Sequence, residues 1–177
     1  MRQRTVGTLL LLLLWAGPAA AQQLEISVQI PQLDVAEYHR PYVAAWIEDG
    51  DRRVVANLLL WYQQDRPGAP PNAERGSKWL PDLRQWWRRS GRGLSLPVDG
   101  VSSATRPVGE HAARFDPGRG VVPALAPGDY QLRVEAAREE GGRELVEIGF
   151  AWPPAAIRTL TAAGTRELGM VRLTLEP

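Results

Sequence analysis

In Tyr130-Gln131-Leu132-Arg133-Val134-Glu135-Ala136 apolar and polar residues alternate one by one. A period of two is the signature of a strand with one buried face. Pro127-Gly128-Asp129 supplies a turn before it and Gly141-Gly142 a turn after it. From Leu145 to Trp152 the alternation resumes, so the segment predicts an antiparallel hairpin. Working outward, Leu168 to Leu175 closes the chain with another alternating run. Upstream, Leu24-Glu25-Ile26-Ser27-Val28-Gln29-Ile30 reads as a half-buried strand. Tyr42 to Ile47 is a further strand, turned by Asp49-Gly50-Asp51. Arg53 to Tyr62 is nearly continuous in apolar residues, which predicts a central strand.

Between these strands the chain offers one helix. Trp79 to Ser90 carries Leu80, Leu83 and Trp87 at helical spacing, with Arg84, Arg88 and Arg89 opposite, and Gly91 and Gly93 end it. Residues 65–77 are rich in Pro, Gly, Ala and Asn and read as an exposed loop, and residues 94–122 read as irregular. Short strands with turn signals and a single helix predict a mainly β fold, an antiparallel immunoglobulin-like β-sandwich with one short helix.

The chain has 177 residues, 44% of them hydrophobic and 23% charged, which fits a globular domain and excludes disordered and fibrous classes. It has no cysteine, so disulfides, thiol nucleophiles and thiolate metal sites are excluded. Two histidines leave little for a histidine-built metal centre, and none is expected. A net charge of +1 gives no basic field for nucleic acid.

At the N-terminus, Arg2 and Arg4 precede the apolar run Leu9 to Ala16, then Gly17-Pro18 and the small residues Ala19-Ala20-Ala21. That three-part order is a secretory signal peptide over residues 1–21, and the apolar run is too short to span a bilayer. Residues 22–177 then form one β-sandwich domain, expected to be soluble and periplasmic or otherwise extracytoplasmic.

Asp99-Gly100-Val101-Ser102-Ser103-Ala104-Thr105 is the stretch most pointed toward chemistry. It resembles the acceptor motif for covalent flavinylation: Asp, two residues, Ser or Thr, a small residue, Ala, then the acceptor Thr. In proteins with that motif an exported FMN transferase splits FAD and joins FMN through a phosphodiester to the threonine. The resemblance therefore implies FMN on Thr105. The residues suit this: Thr105 is a hydroxyl, Ser102, Ser103 and Ala104 are small enough to admit a second protein, and Pro107 biases Arg106 toward extended backbone. Arg106 can pair with the phosphodiester, and Asp99 can order the loop through an Asx-type hydrogen bond or serve the transferase.

The mature chain also resembles a family of predicted periplasmic proteins that is defined only as a domain of unknown function and occurs with PepSY-type flavin-linked membrane reductases. The marks are Tyr42 to Asp49, Leu60-Trp61, Lys78 to Leu83, Trp86-Trp87, Ala104 to Pro107 with Gly109 and His111, and Pro127-Gly128 with Tyr130, Leu132 and Val134 to Ala136. Phe115 and Glu140 depart from the pattern, where tryptophan and histidine are frequent. The resemblance implies an electron carrier, not a substrate-converting enzyme, whose partners are the FMN transferase and a membrane reductase. Trp79, Trp86 and Trp87 lie on or beside the helix, and an indole there can stack on the isoalloxazine; Trp86 and Trp87 are assigned to the cofactor site, with His111 as a hydrogen-bonding group. Two other readings stand beside this one. A cofactor-free sandwich can present its tryptophans to a binding partner, and Ser102, His111 and Asp116 can be drawn as a hydrolase triad.

Overall fold

The computed structural model describes residues 22–65, 68, 70 and 75–177. The signal-peptide segment 1–21 and part of the 65–77 loop lie outside the described residues. Nine strands run β1 (Gln23–Ile30), β2 (Tyr42–Asp49), β3 (Val54–Trp61), β4 (Ser102–Ser103), β5 (Gly109–Phe115), β6 (Gly128–Ala137), β7 (Arg143–Trp152), β8 (Arg158–Ala163) and β9 (Met170–Glu176). They form two sheets, ordered β5-β1-β9-β8 and β4-β3-β2-β6-β7. All pairs are antiparallel except β3–β4. The expected mainly β sandwich is the architecture observed, immunoglobulin-like in the broad sense of two facing sheets. The β6–β7 hairpin pairs Gly128 with Trp152 through Ala137 with Arg143. Tyr130 anchors its start by donating its hydroxyl to the Ala126 carbonyl at 2.8 Å, a tyrosine corner.

The interior between the sheets is filled by alternate residues of both, among them Leu24, Ile26 and Val28 of β1 and Val43, Ala45 and Ile47 of β2. A second apolar cluster covers the opposite face of the five-stranded sheet. There Ala44, Trp46, Leu60 and Tyr62 meet Leu80, Leu83 and Trp86. The molecule thus has a third, helical layer that the alternation alone does not announce. This explains the unbroken apolar run of β3, whose two faces are both covered. The sequence reading made β3 central; it lies second from the edge, and β2 is the central strand. Two register shifts against β2 leave Val55 and Leu58 as extra residues, which further scrambles the period.

The helical layer departs from one continuous helix over 79–90. A 3-10 segment spans Gly76–Asp82 and α1 only Arg84–Arg89. Pro81 lacks an N–H and disfavours α backbone at Leu80, so the turn tightens and restarts at Leu83. The first turn of α1 is tied to the sheet by Glu135. Its fully buried carboxylate accepts the N–H groups of Gln85 at 2.9 Å and Trp86 at 2.8 Å. Burial pushes the Glu135 pKa up, and those N–H groups only partly offset it. The segment expected to be irregular holds β4 and β5, and β8 was also unread. Both β5 and β8 are edge strands whose core-facing residues are few and mostly small, Ala113 with Phe115 and Leu160 with Ala162, so the apolar face that marks a strand is weak in the sequence.

The sandwich is stitched at the β8–β9 turn by Glu144 of β7. Its carboxylate accepts four backbone N–H groups, from Thr165 (2.5 Å), Arg166 (3.0 Å), Glu167 (2.9 Å) and Leu168 (3.0 Å). Burial raises the Glu144 pKa, but these bonds outweigh it and hold the carboxyl below its ordinary value. A lowered folded-state pKa gives stability that is complete above the unfolded value and lost as pH falls through the folded one. Glu144→Gln is therefore expected to cost about 2 kcal/mol near pH 7. In urea titrations the gap to wild type should close below about pH 4. An equal gap at both pH values would show that the charge is not what holds the turn.

Candidate functional site

Thr105 sits two residues past β4, where the chain leaves the sheet. Ser102 and Ser103 pair in parallel with Leu60 and Trp61. The Tyr62 N–H donates to the Ser103 carbonyl at 3.0 Å, and the Gln64 side-chain amide donates to the same oxygen at 3.2 Å. Upstream, the Val98 N–H donates to Ser102 Oγ and the Ser102 N–H returns to the Val98 carbonyl, each at 2.9 Å. This reciprocal pair closes the turn through Gly100. Gly100 adopts φ +72°, and a Cβ there would lie 2.9 Å from Val121 Cγ1. Ser102, not Asp99, therefore orders the loop. Asp99 is exposed and makes no hydrogen bond among the described residues, so the Asx-type bond is not formed and its carboxylate points to solvent.

Beyond this anchor Ala104 and Arg106 are exposed and Thr105 is half-buried. Among the described residues no protein group bonds the Thr105 hydroxyl. Thr105 lines a cavity of about 520 Å³ with Arg40, Tyr42, Gln63, Trp79, Arg138 and others. The 3-10 segment that carries Trp79 is held close. Buried Gly76 packs against Gln63, where an added Cβ would lie 1.9 Å from the Gln63 carbonyl oxygen, and the Tyr42 hydroxyl donates to the Gly76 carbonyl at 3.1 Å. Burial raises the Tyr42 pKa above its ordinary value. Trp79 itself is 41% exposed, with the Lys78 ammonium 4.7 Å from its ring centroid.

The charges around the cavity differ in their state. Arg138 is neutralised by a two-point pair with Glu167, Nε–Oε2 at 2.8 Å and the second contact at 3.1 Å. His39 stands between Glu37 at 3.4 Å and Glu139 at 3.6 Å. Glu37, His39 and Glu140 bring ligand atoms within 4.8 Å of one another at this rim. Arg40 has no carboxylate partner among the described residues. It is the cation that shares the cavity with the Thr105 hydroxyl, although 65 residues of sequence separate them and no spacing signal joins them.

A second cavity, of about 580 Å³, opens between the β4 and β5 edges. Ser102, Ser103, Arg106 and His111 line it, with Trp61. The Arg106 guanidinium lies over the Trp61 ring, 5.5 Å from its centroid, and His111 meets the same ring edge-on at 5.6 Å. The His111 Nε2 is 2.8 Å from the Pro107 carbonyl. The structure thus puts Thr105 in one cavity and Arg106 and His111 in its neighbour. Ser102, His111 and Asp116 make no hydrogen bond to one another.

The tryptophans also divide. Trp86, assigned to the cofactor for its place on the helix upstream of the motif, is fully buried, and its indole N–H donates to Asn57 Oδ1 at 2.9 Å. It has no face for a ligand; the stripe that spacing revealed is the packing stripe of the helical layer. Trp87 is half-buried, tilted at 51° against Trp86, and lines neither cavity. Trp79, released from the helix by the break at Pro81, is the indole beside Thr105.

Among the described residues no helix is long and apolar enough to cross a membrane. No curated protein and no solved structure matches the chain. A family model described as "Predicted periplasmic protein (DUF2271)" matches residues 23–170, and the chain belongs to this family of predicted periplasmic proteins.

Proposed function

We propose that this protein is an exported flavoprotein that carries FMN in phosphodiester linkage to Thr105 and exchanges electrons with a PepSY-type membrane reductase. The observation that carries the reading is Thr105 itself: a half-buried hydroxyl, unbonded among the described residues, at the end of Asp99-Gly100-Val101-Ser102-Ser103-Ala104-Thr105, outside the sheet and at a cavity. A hydroxyl held in the core or in a β-ladder would be closed to a transferase. Periplasmic residence supports it too, because the transferase acts outside the cytoplasm.

The residues present fit the group. A cavity of about 520 Å³ falls within the range that takes small ligands. Arg40 offers a guanidinium, unpaired among the described residues, to the phosphodiester charge, with Arg106 next to Thr105 along the chain. Attachment is a phosphoryl transfer from FAD. Thr105 Oγ forms a bond to the flavin-side phosphorus, the bond to the AMP phosphate breaks, AMP leaves, and the threonine proton passes to a base of the transferase. Ser102 holds the acceptor loop for that enzyme, and exposed Asp99 is free to meet it. Once bound, FMN supplies the electron transfer; the protein supplies attachment, orientation and shielding.

The test is coexpression of the full chain with an FMN transferase. Flavin fluorescence should stay with the protein band on a denaturing gel and vanish completely in Thr105→Ala. A dark wild-type band beside a labelled known acceptor would leave the cofactor-free interaction module as the reading.

A further inference from the structure

Resting on that reading, we infer that the isoalloxazine ring seats in the cavity of about 520 Å³ shared by Thr105 and Trp79, with the Trp79 indole as its stacking platform. Two cavities flank the acceptor loop, and their aromatic walls are in different states. In the neighbouring cavity Trp61 is only 4% exposed, and its ring is already engaged by Arg106 and His111. Trp79 is the one tryptophan with a large free surface among the described residues, and it lines the same cavity as the attachment oxygen. At 41% exposure the indole, with Lys78 near its ring, still leaves a large apolar area in water. Stacked on a planar ring it buries its face and excludes water from that side of the ring.

The wall is also pre-set. Gly76 against Gln63 and the Tyr42–Gly76 hydrogen bond fix the 3-10 segment, so the indole is positioned before any ligand arrives. The cations near it have distinct tasks. Arg40, unpaired, lies with Thr105 and suits the phosphodiester, whereas Lys78 lies over the indole. Arg138 is satisfied by Glu167 and serves as wall. Trp79 is a positioning residue for the cofactor, and neither Trp86 nor Trp87 shares that task.

An indole stacked on isoalloxazine quenches its fluorescence, which gives a readout independent of electron-transfer activity. Wild type, Trp79→Phe and Trp61→Phe are coexpressed with the transferase. Intact mass measures attachment, and native flavin emission relative to the same sample unfolded measures stacking. The expected result is equal mass gain in all three. Quenching should be several-fold in wild type and Trp61→Phe and largely lost in Trp79→Phe, which keeps an aromatic wall. Equal quenching in wild type and Trp79→Phe, or relief by Trp61→Phe instead, overturns the seat while the covalent reading stands. No mass gain in wild type, with a known acceptor labelled, overturns both.

Discussion

Glu48→Ala is expected to destabilise the protein by about 3–5 kcal/mol, as truncating one partner of a buried ion pair does. Glu48 is 1% exposed at the end of β2, under the helical layer. Its carboxylate accepts the indole N–H of fully buried Trp46 at 2.9 Å, lies 2.9 Å from Arg133 Nε, and is approached by Arg89 of α1 at 3.7 Å. Truncation leaves the Trp46 donor with no acceptor and Arg133 with only Glu147. It also removes the charge that draws Arg89, and with it α1, onto the sheet. Glu48→Gln keeps an acceptor for the indole and should lose less. Urea unfolding decides it: the midpoint should fall steeply in the alanine variant with the slope unchanged. A loss below about 1 kcal/mol would mean that the network is no more than a surface ion pair.

Trp86→Ala should cost a similar amount, about 3–5 kcal/mol, for a different reason. Here the loss is volume. The indole fills the centre of the second apolar cluster, among Leu80, Leu83 and Leu60, and Asn57 loses its indole donor. Trp79→Ala, by contrast, removes an exposed side chain and should stay within about 0.5 kcal/mol of wild type without cofactor. Thermal unfolding of both variants separates the structural tryptophan from the surface one. Equal losses would contradict the placement of Trp79 outside the core.

The same two tryptophans show where the sequence was legible and where it was not. Residues 130–152 announce their hairpin because one face of each strand is apolar and the other mostly polar, even where the helical layer buries Glu135. β3 announced itself as apolar but not its place, because its second covering layer comes from residues 76–89, distant in sequence. β5 hides because the residues on its inward face include His111 and the small Ala113, so its alternating burial leaves little apolar alternation to read. In the 79–90 region, position on a helix beside the motif points to Trp86 and Trp87 as ligand candidates. Spacing finds the stripe that packs, and the side chain free to meet a ligand is the one that Pro81 puts outside the helix. The motif at 99–105 was readable because it is local. Arg40 and Tyr42 were not, since only folding brings the β1–β2 connection and the start of β2 to Thr105.

Intact mass with peptide mapping, after coexpression with an FMN transferase, tests directly whether Thr105 carries FMN. The expected result is a gain of one FMN less one water, mapped to Thr105 and absent from Thr105→Ala. No gain in wild type while a known acceptor is labelled in the same cells, or the same gain in the alanine variant, would contradict it.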